Sequence, residues 1–305
     1  AWVAPDPVFV KENMNKIKTA IIGPGNIGQD LMIKLSRSEL LELICVVGIM
    51  ESPGIQRARE MGADASAGGV DYLISKHPEV QIVFEATSAA AHAASSPKLQ
   101  QAGMFTLDLT PAAIGPYCVP AVNMTEAMLN EPELNMVTCA GQATAPMVAA
   151  INAVSDVYYA ETVSSLASKS AGAGTRANID EFTQTTRDAL QTVGGADKAK
   201  AIIVLNPAEP PIFMSNTIYT RVRHVDMPAI EAAAQACVEK LKKYVPGYRL
   251  RMKPTLKDPA DDIIVSVVEV EGLGDYLPIY AGNLDIINTA AIEIAEAKAR
   301  QLLRS

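Results

Sequence analysis

Residues Gly23-Pro24-Gly25-Asn26-Ile27-Gly28 follow an apolar run, Ile17–Ile22, and open a segment with apolar residues at helical spacing, Ile27, Leu31 and Leu35. A strand, a glycine turn and a helix in that order constrain this chain more than any other feature. Gly23 permits the tight turn, Gly25 lets backbone approach a pyrophosphate, and Gly28 allows the helix to pack closely. The helix N-terminus adds unpaired N–H groups for phosphate. The competing reading is a glycine-rich turn without a ligand. An acid that reads the ribose is expected about 20 residues further on. The second strand ends Gly48-Ile49-Met50-Glu51. Met50 occupies the first position to inspect, and Glu51 is either the ribose ligand or a solvated loop charge.

The same alternation continues downstream. Residues 43–49, 81–86, 105–109 and 135–138 read as strands, and residues 55–61, 71–76 and 89–102 as helices, with Pro97 a possible break in the last. Strands alternating with helices imply crossover units and a parallel sheet. After about residue 156 the elements lengthen. Residues 159–168, 201–205 and 262–270 read as strands, and 178–193, 228–244 and 285–303 as amphipathic helices. An antiparallel sheet covered by helices is expected there. The length of 305 residues fits two domains.

Composition narrows the function. Hydrophobic residues make up 49% and charged residues 20%, which excludes a disordered chain. The net charge of -8, without Lys/Arg clusters, argues against nucleic acid or an anionic membrane as partner. The longest uncharged run, residues 134–155, contains Asn135, Thr138, Gln142, Thr144, Pro146 and Asn152 and is too polar to span a bilayer. Cys45, Cys118, Cys139 and Cys237 form no CxxC pair, and His77, His92 and His224 lack metal spacing, so no metal site is expected. A reduced, cytoplasmic protein is the simplest reading. Residues 1–10 lack the pattern of a signal peptide. Residues 1–13 read as an extension before Met14.

The segment Val137-Thr138-Cys139-Ala140-Gly141-Gln142-Ala143-Thr144-Ala145-Pro146 reads as strand, turn and helix. Thr144 suits an N-cap and Pro146 a first turn. Cys139 then lies just before a helix N-terminus, where the macrodipole favours thiolate and lowers the thiol pKa. A small buried hydrophobe is the competing reading. Cys45 and Cys237 fall in regular elements and look structural, and Cys118 stays undecided. Between Ser168 and Asn178, a small-residue loop carrying Lys169 and Arg176 reads as an anion clamp or as a flexible linker.

The runs GPGNIGQDLMIKL, FEATSAAAH, DLTPAAIGP, NMVTCAGQAT, SKSAGAGTRANIDEFT, LNPAEPP and YLPIYAGNLDI carry a family likeness. From about Met14 to the C-terminus the chain resembles the acylating acetaldehyde dehydrogenases. These are the dehydrogenase partners of 4-hydroxy-2-oxovalerate aldolase in meta-cleavage degradation of aromatic compounds. The resemblance implies an α/β protein arranged like glyceraldehyde-3-phosphate dehydrogenase. Residues 14–139 would form a Rossmann NAD-binding domain, completed by a C-terminal helix at 284–305. Residues 140–283 would form an α+β catalytic and dimerisation domain. Cys139 would be the nucleophile that becomes a thioester, with coenzyme A (CoA) as co-substrate.

By the same resemblance, Gly23, Pro24, Gly25, Asn26, Ile27 and Gly28 match NAD-contacting positions. So do Ser170, Ala171, Gly172, Ala173, Gly174, Thr175, Arg176, Ala177 and Asn178, and also Asn283. A homodimeric core within a heterotetramer with the aldolase is implied. The chain departs from the family at Met50, where Asp is common, and at Ala140, where Gly is common. It also carries Ser215-Asn216 in place of an Arg-Asp pair whose Asp takes part in thiol activation, which makes Asn216 the second catalytic candidate. Two alternatives compete. One is a non-acylating or phosphorylating semialdehyde dehydrogenase, for which His224 is the only histidine of the second domain. The other is a non-catalytic NAD-sensing protein.

Overall fold

Six short strands order the first half of the chain: β1 (Ile17–Ile22), β2 (Leu41–Val47), β3 (Asp64–Ser66), β4 (Ile82–Glu85), β5 (Phe105–Asp108) and β6 (Glu133–Asn135). The computed structural model describes residues 16–172, 176, 178–258, 260 and 262–304. The expected extension, residues 1–13, lies outside them. All pairings in the first sheet are parallel, in the order β3-β2-β1-β4-β5-β6. Its central strands β1, β2 and β4 are mostly apolar and buried, whereas β5 and β6 bury polar residues and β3 is a short, partly exposed edge. The order reverses between β1 and β4, and ligands of such sheets bind beyond the strand ends at that point.

Helices α1 (Asn26–Ser36), α2 (Pro53–Glu60), α3 (Gly69–Lys76) and α4 (Ala89–Gln101) connect the strands, followed by single turns α5 (Pro120–Asn123) and α6 (Glu126–Leu129). Pro97 does not break α4. Ser88 caps the helix by accepting from Ala91 N at 3.3 Å, and His92, Ser95, Ser96 and Leu99 are buried along one side. Tertiary packing outweighs the missing hydrogen bond.

The chain divides into two compact units. The first holds the chain up to Pro116, Thr125–Asn135 and the chain from Ala291. The second holds Tyr117–Met124 and Met136–Ala290. Relative to a boundary at residue 139, Tyr117–Met124 and residues 136–139 group with the second unit.

The second unit is built on α7 (Cys139–Ser155), β7 (Val157–Ala167), α8 (Ile179–Thr192), β8 (Lys198–Asn206), β9 (Met214–Val222), α9 (Met227–Leu241), β10 (Tyr248–Leu256) and β11 (Ile263–Val270). Helix α10 (Gly282–Leu302) begins in this unit and ends in the first. The sheet order is β10-β11-β9-β7-β8. It is mixed, not purely antiparallel as the sequence suggests: β7 and β8 pair in parallel because α8 provides the crossover between them.

Strands β9 and β10 escape the sequence reading. The inward positions of β9 include Asn216 and Thr220, which hide its alternation, and β10 is a charged edge strand containing Pro254. One face of the sheet packs under α7, α8 and α9 and contributes Ala160, Leu166, Ile218, Ile264 and Val268 to the core. No helix among the described residues is long and apolar enough to cross a membrane.

Candidate active site

The glycine turn after β1 has the geometry its sequence implies. Gly23 has φ of 101°, and a Cβ there would lie 2.6 Å from the Ala86 carbonyl oxygen. A Cβ on Gly28 would stand 2.2 Å from the Gly23 oxygen, so α1 approaches the turn too closely for any side chain. Gly25 is different: it caps α1, and a Cβ on it would meet nothing within 4 Å. Its open side is what a pyrophosphate needs for contact with backbone N–H groups. Gly54 in α2, unnoticed in the sequence, packs on the Pro24 carbonyl, where a Cβ would come within 2.0 Å.

The turn borders a cleft of about 440 Å³ lined by Pro24, Gly25, Gly48, Met50, Glu85 and Thr87 among others. Its size and mostly apolar lining suit a small-molecule site. Gly25, an exposed residue, lies on its edge. A dinucleotide fits these residues. Glu51 does not stand ready for a ribose, because Arg59 engages both its carboxylate oxygens at 2.9 Å. That bond holds its carboxyl below the usual range. Ile49, Met50 and Ser52 line the cleft instead.

The remaining cofactor candidates belong to the second unit. Ala173, Gly174, Thr175 and Ala177 lie outside the described residues. Ser170 donates to the Ala167 carbonyl at 2.9 Å. Arg176 folds back on its own loop. Its Nη2 donates to Ser168 O and Oγ, both at 2.8 Å, and its Nε to Ala171 O at 3.2 Å. Lys169 pairs with Glu209 at 2.5 Å. Both cations of the expected anion clamp are thus paired within the protein, next to Gly172. Asn178 precedes α8 at its N-cap. Asn283 is buried, and its Oδ1 has no hydrogen-bond partner among the described residues. A buried orphan amide of this kind is an unspent contact for a ligand.

Cys139 is the first residue of α7, not the residue before it. Thr138 is the cap, its Oγ1 accepting from Gly141 N at 2.9 Å. The expected cap, Thr144, instead donates to Ala140 O at 2.7 Å inside the helix, and Pro146 lies a further half-turn along. The early start is fixed from outside the helix. Gln142, fully buried, donates through Nε2 to Cys118 O and Met136 O, both at 2.9 Å. The approach to Cys139 is strained: Val137, β-branched, has φ of 61°. Such strain costs about 1–3 kcal/mol and concentrates at functional positions.

Cys139 is 8% exposed. Burial pushes its thiol up to about 12, while the N–H groups of Ala140 and Cys139 itself pull part of the way back. The helix N-terminus therefore does not leave a ready thiolate as the sequence implies, because desolvation wins. Cys45, Cys118 and Cys237 are also pushed to about 12 by burial. What sets Cys139 apart is its place at a capped helix N-terminus. We expect its alkylation by iodoacetamide to quicken about tenfold per pH unit, without a plateau near the ordinary thiol value of about 8.5. The pH dependence of labelling, followed by mass spectrometry of the Cys139 peptide, checks this.

Asn216 lies on β9, opposite Ser164 of β7 and Val268 of β11. It is fully buried, and neither Oδ1 nor Nδ2 has a partner among the described residues. A neutral amide cannot take a thiol proton. His224 is no substitute. Its Nε2 contacts Val154 O at 2.9 Å, near the last turn of α7. Fifteen residues of helix, roughly 22 Å, separate Val154 from Cys139.

Residues 139–278 match the family described as prokaryotic acetaldehyde dehydrogenase, dimerisation. The chain is 58% identical over 290 residues to acetaldehyde dehydrogenase of Carboxydothermus hydrogenoformans, covering 95% of each. It is 54% identical over 294 residues to acetaldehyde dehydrogenase 1 of Comamonas testosteroni, covering 94% of each. Among solved structures, aspartate semialdehyde dehydrogenase II of Vibrio cholerae is similar with a TM-score of 0.60 at 14% identity. That match covers 93% of this chain and 99% of the other, and it shows a shared fold.

Proposed function

The chain belongs to the acetaldehyde dehydrogenase family, and we propose that it converts acetaldehyde, NAD+ and CoA to acetyl-CoA and NADH through a thioester on Cys139. The observation that carries this reading is Cys139 at the first position of α7, with the N–H groups of Cys139 and Ala140 on its sulfur. After its proton passes to solvent, the Cys139 sulfur adds to the aldehyde carbonyl; the C–S bond forms as the carbonyl π pair moves onto oxygen as an oxyanion. Backbone N–H groups in the first turn of α7 are the donors available to that oxyanion. Bound at the glycine turn, NAD+ supplies the hydride acceptor. Loss of hydride leaves the acetyl group on sulfur. The CoA thiolate then attacks the thioester carbonyl and expels Cys139 as a thiolate, which takes up a proton from solvent; one proton is released overall, from the CoA thiol.

NADH formation with acetaldehyde, NAD+ and either CoA, phosphate or water tests the reaction class. We expect turnover with CoA. Turnover with phosphate or water alone would mark a semialdehyde-dehydrogenase-like enzyme, and none with any acceptor a binding protein.

Asn216 makes a second point about the chemistry. General-base assistance is worth roughly a hundredfold or more. As an amide, Asn216 cannot supply it, so we expect Asn216→Ala to cost less than about tenfold in rate. In Asn216→Asp, burial would raise the new carboxyl towards neutrality, where a base works best. The alkaline rise of rate should then move to lower pH. Rate-versus-pH profiles of both variants check this. A loss in Asn216→Ala equal to that of Cys139→Ala would give Asn216 a direct catalytic part.

The sheet face turned away from the helices carries Val163, Ile202, Val204, Tyr219 and Val265, all half-buried or exposed. These residues alternate with Glu161, Lys200 and Thr217 on the same face, and with the dimerisation family match over residues 139–278 the face supports a homodimer through the second unit. We further expect association with 4-hydroxy-2-oxovalerate aldolase, so that acetaldehyde passes between sites, and residence in the reducing cytoplasm. Co-sedimentation of the co-expressed pair tests the association.

A further inference from the structure

Behind the cleft of the first unit, α4 lays His92 across three neighbouring strands, each of which contributes a buried carboxylate. These are Glu85 of β4, Asp108 of β5 and Glu133 of β6. His92 itself is fully buried. Its Nε2 bonds to Glu133 and lies 3.6 Å from Asp108 Oδ2, while its Nδ1 lies 3.6 Å from Glu85 Oε2. Nε2 is hydrogen-bonded to Glu133, whereas Nδ1 lies at ion-pair distance from Glu85 without a hydrogen-bond partner among the described residues; an imidazolium presents a proton to each side.

Neutral donors complete each carboxylate. Glu133 accepts from Ser96 Oγ at 2.6 Å and Gln100 Nε2 at 3.2 Å. Asp108 accepts from Thr110 N at 2.7 Å, Ile114 N at 3.2 Å and Asn135 Nδ2 at 2.8 Å. Glu85 accepts from Ser95 Oγ at 2.9 Å and from both the hydroxyl and the N–H of Thr87.

We propose that His92 is a positioning residue for the dinucleotide: buried against three carboxylates, it holds Glu85 in place, and through it the Thr87–Ser88 wall of the cleft. The inference rests on the reading of that cleft as a dinucleotide site. Glu85, Thr87, Ser88 and Ser95 all line the cleft. Glu85 Oε1 takes two donors from Thr87, which fixes the turn that follows β4. That turn abuts Gly23, whose absent Cβ would meet Ala86 O and Thr87 Cγ2. A diphosphate brings further negative charge to this wall. Without a cation at His92, the buried carboxylate cluster stands uncompensated beside the ligand. Burial alone would lower the His92 pKa, but Glu133, Glu85 and Asp108 outweigh it and raise it to about 10. Among the described residues these three carboxylates are the titratable groups that face the ring; α4 itself contributes Ser95, Ser96 and Gln100.

Two measurements on the full-length chain test this. In the wild type, nitrogen-15 NMR of His92 should show both ring nitrogens protonated near pH 8; a neutral tautomer overturns the proposal. NADH titrations then compare the wild type with Glu133→Gln, which removes one carboxylate and brings the imidazole pKa towards neutrality. Protonated His92 favours binding, so the wild-type Kd should stay flat from about pH 6 to 9, the range in which an ordinary histidine titrates. In Glu133→Gln the Kd should rise with pH across that range, by roughly five- to a hundredfold, with the effect in KM for NAD+ and little in kcat. Equal, flat Kd profiles overturn the role of His92. Absence of NADH binding by the wild type overturns the dinucleotide reading, and this inference with it.

Discussion

Replacing Cys139 by alanine is expected to lower CoA-dependent NADH formation by at least about a thousandfold, as loss of a nucleophile does. The expectation follows from placement. Cys139 begins α7, Thr138 caps that helix, and the first-turn N–H groups of Cys139 and Ala140 meet the sulfur. No neighbouring group can replace a sulfur that must carry the acyl group. Structure should be little affected, because the alanine keeps the helix start and removes one buried atom from a packed core. NADH binding should survive, since Cys139 does not line the glycine cleft. Steady-state rates, thermal unfolding and NADH titration of the variant separate these effects. Substantial CoA-dependent turnover without Cys139 would remove it from the mechanism.

The two glycines of the turn should fail in different ways. In Gly28→Ala the new methyl would stand 2.2 Å from the Gly23 carbonyl oxygen, and backbone must move to admit it. Such overpacking costs about 1–3 kcal/mol. Felt at the turn, it amounts to roughly a ten- to hundredfold loss of NADH affinity. In Gly25→Ala the methyl meets no protein atom within 4 Å, and φ of −78° suits any residue. Stability should therefore change by less than about 1 kcal/mol, the scale of an N-cap exchange. NADH binding should nonetheless be lost, because the methyl fills the space through which the pyrophosphate reaches the backbone. Equal binding by Gly25→Ala and wild type would show that the ligand does not use this approach.

The glycine turn was legible in the sequence because its logic is local: strand, turn and helix lie within twenty residues. Cys139 was legible for the same reason, but the start of its helix was not. Gly141 looks like a turn and Thr144-Ala145-Pro146 like a helix beginning. The competing cap at Thr138 succeeds with help from Gln142, whose hydrogen bonds reach Cys118 and Met136. The acidity of Cys139 was misread because burial is a tertiary property, and here it outweighs the helix end. Strand β9 was hidden by polar residues facing a helix-covered side, where Thr162, Ser164, Asn216 and Ser266 keep side-chain atoms without partners among the described residues. Glu51 looked available until Arg59, eight residues on, closed on it. His92 looked isolated, since its carboxylate partners come from three separate strands that only the sheet brings together.

The central claim, acyl transfer through Cys139, is tested most directly by mixing the enzyme with acetaldehyde and NAD+ without CoA and weighing its peptides. The expected result is one acetyl group on the Cys139 peptide, formed with a single equivalent of NADH and discharged as acetyl-CoA when CoA is added. An unmodified Cys139 peptide alongside that equivalent of NADH, or an acetyl group that CoA does not remove, would contradict it.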